Sequence, residues 1–322
     1  MKRKITVKRI WDILKASVKG FSDDKVTTKS SSLAYYTVFS MAPLLIIIIS
    51  LSGIFFGQDA AEGKIYSTLS GFIGSDSASQ LQEMIKNASI TGKSHLAAII
   101  GIVTLVVGAT TVFAQIQDSI NSIWGLKPKP KKSWLKLLKN RFLSFSVILG
   151  LGFLLLVSLF ISTLIDGFSD SLKAHFPDVA VIIFYIINVI ITLIVTTLIF
   201  GAIFKVLPDA KIKWKDVLAG AVTTAVFFML AKFAISFYIS KSDVGSTYGA
   251  AGSLVILLLW VYFSAMILYF GAEFTKAYAV EFGSDIYPDN YAVTTKTVEV
   301  ETGNKTIQEK EDTDVETKQV KK

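Results

Sequence analysis

The sequence predicts an all-α integral membrane protein with six transmembrane helices. Long uncharged runs, a shortage of charged residues and an uneven placement of lysine and arginine all indicate this fold class. Of the 322 residues, 52% are apolar and 18% are charged, whereas about a quarter of a soluble domain is charged. Helices are expected rather than barrel strands, because barrel strands alternate apolar and polar residues over about ten positions. A single span in lipid must also satisfy its own backbone hydrogen bonds, which a helix does.

The spans are predicted from stretches long enough to cross a bilayer, whose hydrocarbon core of ~30 Å requires about 20 helical residues. Four stretches are uncharged and apolar along their whole length. Of the two weaker ones, the second span is strongly apolar only in its first part, and the fifth is interrupted by Lys232. In chain order, the predicted spans are residues 33–56, 96–117, 143–165, 179–204, 217–239 and 249–272.

The orientation follows from the positions of the basic residues, which collect on the cytoplasmic side of membrane proteins. One set of segments holds 27 of the 33 lysines and arginines, and the alternate set holds five. The richer set consists of the N-terminal segment, the second-to-third and fourth-to-fifth linkers, and everything after the sixth span. Both termini are therefore predicted to be cytoplasmic, in a bacterial plasma membrane.

The net charge of +8 is explained by this topology. Basic residues near the inner leaflet are attracted to anionic lipid by about 1 kcal/mol each. We therefore expect the phospholipid bilayer, with anionic lipid at its cytoplasmic face, as the partner. Nucleic acid is not expected, although a basic protein can bind it.

Residues 1–32 form the predicted cytoplasmic N-terminal segment, which is basic and amphipathic. Five apolar residues share one helical face, with most of the lysines elsewhere: Ile10, Ile13, Leu14, Val18 and Phe21. A helix of this kind lies on the membrane surface or packs against the cytoplasmic ends of the bundle. The sequence leaves both alternatives open.

The remainder divides into a transmembrane domain, residues 33–280, and a cytoplasmic tail, residues 281–322. Residues 58–94 are the one long external loop, where apolar residues at helical spacing predict two short amphipathic helices. From about residue 294 the tail is polar, mixes both charge signs and has no aromatic residue. Such a segment buries too little apolar surface to offset its ordering entropy, so we expect it to be disordered.

Lys232 is the first candidate for a transport or gating residue, because a charged side chain inside a span is costly to place in lipid. It lies 18 positions after Trp214, or about 27 Å along a helix, in the outer third of the fifth span. One interpretation is that it reaches the outer headgroups or pairs with Asp166 or Asp243. The other is that it lines an outward-facing cavity and attracts an anionic substrate or lipid headgroup.

Glu273 is the second candidate, since it follows 24 uncharged residues and is itself followed by Lys276. One interpretation is an interfacial anchor that pairs with Lys205 or another basic residue of the inner rim. The other is a gating or proton-linked carboxylate that acts together with Asp118. Asp118 lies with Gln115 and Ser122 at helical spacing on the inner end of the second span. Two carboxylates this close to one interface would share a proton if they were adjacent.

Pro43 and Asn188 are the remaining candidates. Pro43 removes a backbone donor in the middle of the first span and is expected to kink it, with a static bend or a hinge as the result. Asn188 is predicted to be the most buried neutral polar group of the fourth span, hydrogen-bonded to another helix.

Three stretches together resemble the YihY/BrkB family of bacterial inner-membrane proteins. They are "SLAYYTVFSMAPLL" at 32–45, "QDSINSIWGLKPK" at 117–129 and "YGAAGSLVILLLWVYFSAMILYFGAEF" at 248–274. The resemblance covers about residues 20–280 and implies six membrane helices. It implies little about activity, because family members have been labelled a virulence factor, a ribonuclease (ribonuclease BN) and an exporter, and no agreed catalytic residues carry over.

These features favour a transporter or exporter of an unidentified anionic or lipid-like substrate. Six helices are few for a monomeric carrier, so we expect a homo-oligomer or a narrow lipid-facing path. The alternative is a scaffold that organises envelope proteins without transport. A ribonuclease is rejected, because nucleases use clustered carboxylates with metal or histidines as acid and base, and both histidines fall on the outer side of the predicted topology. We expect no enzymatic activity, catalytic residue, metal or cofactor.

Overall fold

The computed structural model describes residues 6–40, 95–128, 177–241, 252–282, 286–289 and 292–295, with isolated positions 63, 66, 78, 79 and 82. The six helices of these ranges are α1 (Val7–Asp23), α2 (26–40), α3 (His95–Ile123), α4 (Pro177–Val206), α5 (Trp214–Lys241) and α6 (Gly252–Glu281). The four short strands are β1 (Leu126–Pro128), β2 (Ala210–Lys211), β3 (Tyr287–Pro288) and β4 (Ala292–Thr294). The predicted span 143–165, Pro43 and nearly all of the loop 58–94 lie outside the described residues, as does the tail beyond residue 295.

The helices lie where the apolar runs predicted them. Four of them, α3 to α6, coincide with the second, fourth, fifth and sixth predicted spans, and α2 contains the start of the first. Three segments are long and apolar enough to cross a membrane by length and composition: Ile186–Val206, Trp214–Ile235 and Leu254–Glu281. The helical membrane architecture is therefore confirmed in the described part of the chain, while the count of six spans stays a prediction.

The outward faces of α4 and α5 are apolar, the reverse of a water-soluble helix bundle. Exposed large apolar side chains recur along both helices: Ile183, Ile186, Ile190, Ile194 and Leu198 on α4, and Leu218, Val222, Val226, Leu230, Phe233 and Phe237 on α5. A contiguous apolar surface of this extent is unusual on a soluble monomer. Such a surface is expected to face lipid.

The four strands tie the helix ends together at one end of the bundle, which we call the strand end. β1 pairs with β4, and β2 pairs with β3, both antiparallel, so the segment after α6 contacts the loops that follow α3 and α4. Gly125, with φ of +68°, makes the turn into β1, and its carbonyl accepts a 2.7 Å hydrogen bond from the Thr295 amide. An all-α interpretation did not include these strands. The segments they join are ones that the charge distribution assigns to a single side.

α5 and α6 cross through a reciprocal pair of glycine and threonine contacts. A Cβ on Gly220 would lie 1.8 Å from Oγ1 of Thr275, and a Cβ on Gly271 would lie 1.9 Å from Oγ1 of Thr224. Each threonine hydroxyl donates to a carbonyl one turn back in its own helix, at 2.7 Å. Small residues allow such close approach between membrane helices. α5 and α6 therefore form one tightly packed unit.

Trp124, directly after α3, lies against α6 rather than in an aromatic belt at the membrane interface. Tryptophan is enriched in such belts. In the structure Trp124 is buried and its Nε1 donates a 3.0 Å hydrogen bond to the carbonyl of Ala272. Because the indole N–H already donates to a carbonyl of α6, it does not require water at the membrane interface as a hydrogen-bond partner.

The amphipathic helix α1 packs antiparallel along the last turns of α6. Arg9 Nε lies 3.4 Å from a carboxylate oxygen of Glu281, and the rings of Phe21 and Phe270 are 6.4 Å apart. Ile13 is buried in this contact. Of the two alternatives that the sequence left open, packing on the bundle end is thus present for one face of α1, and its opposite face is exposed.

Candidate functional site

Glu273 is the most deeply buried charged side chain among the described residues, with 2% of its surface exposed. It lies on the face of α6 that contacts α1. A Cβ on Gly20 of α1 would lie 2.4 Å from Glu273 Oε2, so only glycine leaves room for the carboxylate at this position. Helix α1 therefore covers Glu273 directly with backbone.

One ammonium group serves two carboxylates at this site. Lys276 Nζ lies 3.6 Å from Glu273 Oε2 and 3.3 Å from Asp24 Oδ2. Oε1 of Glu273 is buried and makes no hydrogen bond with any described residue. If all three groups are ionised, the cluster carries a net charge of −1 in a place where charge is costly. We refer to Glu273, Lys276 and Asp24 as the acidic cluster.

The turn between α1 and α2 brings Asp24 into the cluster. Asp24 ends α1, where its amide donates a 2.8 Å hydrogen bond to the carbonyl of Gly20. Lys25 follows with φ of 51°, a left-handed conformation that ends helices but is uncommon for residues other than glycine. Lys29 Nζ donates to the Asp24 carbonyl. Local backbone geometry therefore fixes the position of Asp24 at the end of α1, from which its carboxylate reaches Lys276.

The basic residue that contacts Glu273 is Lys276 and not Lys205. Lys205 Nζ donates a 2.5 Å hydrogen bond to the carbonyl of Ile212 and lies 5.6 Å from the centre of the Trp214 ring. It lies in the last turn of α4 and contacts the linker between α4 and α5. The anchor role considered for Glu273 therefore has a different partner, one turn along its own helix.

The carboxylate beside Glu273 belongs to Asp24, whereas Asp118 is exposed on α3. The charge of Asp118 interacts with Tyr269 of α6. The buried Tyr269 hydroxyl faces Ser119. Sequence reasoning missed Asp24, because its approach to Glu273 depends on how α1 folds back along α6. No periodicity within α6 or α3 carries that information.

A second polar network joins α3 to the loop between α4 and β2. The Asn121 side chain exchanges two hydrogen bonds with Asp209, from Nδ2 to Oδ2 at 3.0 Å and from the Asp209 amide to Oδ1 at 2.8 Å. Gln117 Nε2 donates to the other oxygen of the same carboxylate at 3.3 Å. Gln117 and Asn121 are one helical turn apart on α3, and this spacing is the signal that the sequence offers for the network.

The remaining predicted site residues are spread along the helices. Lys232 is partly buried on α5, and its predicted partners Asp166 and Asp243 lie outside the described residues, as Pro43 does. The expectation that Asn188 is buried and bonds another helix is wrong. Asn188 is exposed on α4 and its Oδ1 accepts a 3.3 Å hydrogen bond from Thr192 of the same helix. Because position 188 faces outward, the hydrogen bond to its amide oxygen comes from its own helix, one turn along.

Comparison with known proteins gives one family. The family model described as Virulence factor BrkB matches residues 17–290. A UPF0761 membrane protein of Pseudoalteromonas atlantica is 27% identical over 261 residues, which is 80% of this chain and 83% of the relative.

Two further relatives carry the same description. One, from Mannheimia succiniciproducens, is 28% identical over 262 residues, 79% of this chain and 85% of the relative. One from Pseudomonas aeruginosa is 30% identical over 258 residues, 78% of this chain but 59% of the relative. No solved structure matches the chain. The relatives' names state a membrane location and no activity.

Proposed function

Since this chain belongs to the Virulence factor BrkB family and is a multi-pass bacterial membrane protein, we propose that it is a transporter whose inner closure is the contact between α1 and the acidic cluster. In this proposal six helices span the membrane, both termini are cytoplasmic and the strand end faces the cytoplasm. The chain carries out no catalytic step.

The burial of Glu273 is the observation that carries the proposal. A carboxylate that is 2% exposed, with one oxygen lacking a hydrogen bond among the described residues, lowers stability by several kcal/mol unless something compensates it. Ionisable groups placed at such cost in membrane proteins usually mark substrate or proton pathways. The burial of Glu273 is therefore better explained by a contact that opens and closes than by a static core.

The cover over Glu273 is built so that it can separate. On the α1 side the contact includes the backbone at Gly20, the Phe21 ring and two ion pairs, Arg9 to Glu281 and Asp24 to Lys276. Both ion pairs are partly exposed, and pairs of that kind contribute only about 0–1 kcal/mol each. The α5–α6 unit is locked by interdigitated glycine and threonine, so α1 is the easier element to move.

The proposed substrate is anionic or lipid-like. A lysine inside the membrane, Lys232, is partly buried on α5, where a positive charge attracts an anionic group. The outward faces of α4 and α5 offer an apolar path for an acyl chain. A homo-oligomer would supply further helices for the path.

The test is translocation of fluorescent lipids by the purified protein in liposomes, with dithionite quenching as the readout. Anionic and zwitterionic labelled phospholipids are compared. Glu273→Gln keeps the buried side chain uncharged beside Asp24 at every pH, so α1 should close more firmly and translocation should slow. Lys276→Met removes the ammonium that holds both carboxylates, so translocation should rise. Each change is expected to be about tenfold, which is about 1.4 kcal/mol in the barrier.

Asp12→Asn is the matched control, because Asp12 is an exposed carboxylate of α1 outside the acidic cluster. It should leave the rate unchanged. Absence of flux for both lipids, together with stably co-purifying envelope proteins, would favour the scaffold instead. Degradation of RNA by the purified protein would contradict the assignment of no catalytic step.

A further inference from the structure

The exposed side of α1 carries two adjacent stripes. One is apolar and consists of Val7, Trp11 and Val18, with Trp11 63% and Val18 59% exposed. The other is basic and consists of exposed lysines. On a helical projection at 100° per residue, they lie next to the apolar stripe and away from α6: Lys8, Lys15 and Lys19.

The depth of α1 follows from the length of α6. The span candidate Leu254–Glu281 has 28 residues, or about 42 Å of helix, against a hydrocarbon core of ~30 Å. About 12 Å of α6 therefore extends into the headgroup layer at its ends. α1 packs on one of those ends, between Phe270 and Glu281. Because α1 runs alongside this end of α6, the Val18 end of its exposed stripes lies nearest the headgroups and the Val7 end lies farthest from the hydrocarbon core.

We propose that the exposed side of α1 is a docking surface for the anionic headgroup region of the inner leaflet. Val18 inserts between headgroups, Lys15 and Lys19 contact lipid phosphates, and Trp11 and Lys8 lie farther out on the same side. An apolar stripe beside a lysine stripe is the pattern by which surface helices bind anionic lipid. The occupant is a negatively charged lipid surface and not a second copy, because a second α1 in an isologous contact would bring a lysine stripe against its own image. This inference does not depend on transport.

The experiment uses the full chain, which contains no cysteine, with Val18→Cys carrying a nitroxide spin label. The protein is placed in nanodiscs of phosphatidylcholine alone or with phosphatidylglycerol added. Collisions of the label with oxygen and with a water-soluble relaxation agent report whether it lies in lipid or in water. We expect the label to move from water to lipid when phosphatidylglycerol is present, and to return partly at high salt, which screens exposed charges.

The matched comparison is between two triple variants with the same loss of charge. Lys8→Gln, Lys15→Gln and Lys19→Gln together should lower the docked-to-undocked ratio roughly 100-fold, about 1 kcal/mol for each lysine. Lys127→Gln, Lys213→Gln and Lys215→Gln remove three exposed lysines from elsewhere at the strand end and should leave the ratio unchanged.

Three results would overturn the proposal. The first is a label that is equally accessible to water in both nanodiscs, and the second is an equal effect of the two triple variants. Broadening of the spectrum by spin–spin contact between two protein copies would assign the surface to a second copy instead.

Discussion

Lys276 holds two carboxylates with one ammonium group, and this makes its removal more costly than the loss of an ordinary surface lysine. In Lys276→Met, Glu273 and Asp24 would face each other without a counter-charge. Because Lys276 and Asp24 are partly exposed, we expect a loss of about 1–2 kcal/mol, below the 3–5 kcal/mol of a fully buried pair. Thermal unfolding in detergent measures it, with the exposed Lys215→Met as the control.

The double variant separates charge from packing. If repulsion between the carboxylates is the cause, Glu273→Gln should recover most of the stability lost in Lys276→Met. Residues in contact show such coupling, whereas distant sites add. Additive losses in the double variant would mean that the acidic cluster is not a unit.

Asn121 is a hydrogen-bonding residue whose loss leaves partners unsatisfied. Asn121→Ala removes two hydrogen bonds to Asp209 and leaves the Asp209 amide without its partner, which costs about 1–3 kcal/mol for a buried group. We expect an unfolding midpoint clearly below that of wild type. Ser122→Ala, one position along and exposed, should have a midpoint close to that of wild type. Equal midpoints for the two variants would count against this network as the joint between α3 and the α4–β2 loop.

The joint between α5 and α6 depends on glycine at two reciprocal positions. In Gly220→Ala the new methyl group would meet both Oγ1 and Cβ of Thr275, at 1.8 and 2.8 Å. A β-branched side chain on a helix has little freedom to move away, so the helices must separate. We expect losses of about 1–3 kcal/mol for Gly220→Ala and for Gly271→Ala, typical of overpacking.

Gly201→Ala on α4 is the matched control for this joint, because its nearest neighbour would be the Cβ of Ala221 at 3.8 Å. Ordinary contact and the higher helix propensity of alanine should leave the protein as stable as wild type or slightly more so. Relief of Gly220→Ala by Thr275→Ala would confirm the steric cause. Midpoints of thermal unfolding in detergent again decide the question.

Helices were more predictable from the sequence than the contacts between them. An uncharged run such as 179–204 predicts a span without any knowledge of its neighbours, since the hydrocarbon thickness fixes the length. α4 confirms it. The strand pair of Leu126–Pro128 with Ala292–Thr294 was not predictable in this way, because two or three residues carry no periodicity and their partners lie far apart in the sequence.

The candidate site shows the same division. Glu273 stood out because a single carboxylate ends a long apolar run. Its partner Asp24 did not, because it is a helix-terminal acid among many charged neighbours. Asn188 was expected in the interior on polarity alone, yet its position on the outward face of α4 made a bond within its own helix sufficient. The sequence identifies residues that are costly to place in lipid, whereas the partners of these residues depend on how the helices pack.

The whole molecule has one end that is crosslinked by strands and polar contacts. The α1–α2 turn, the end of α3, both sides of the α4–α5 linker and the segment after α6 meet there. The predicted cytoplasmic segments to which these elements belong hold 27 of the 33 lysines and arginines. A basic face is expected where a protein contacts the cytoplasmic leaflet.

The orientation of this strand end gives the last prediction. The chain has no cysteine, so single substitutions report accessibility without background. Lys127→Cys, Lys213→Cys and Tyr287→Cys are at the exposed strand end, and Lys241→Cys is at the opposite end of α5. In right-side-out vesicles a membrane-impermeant maleimide should label only Lys241→Cys, and in inside-out vesicles only the other three. Because the strand contacts and Asn121 hold these three segments on one side, all three must react together. Labelling of any of them from outside would reverse the orientation, and a split among them would contradict the strand pairing itself.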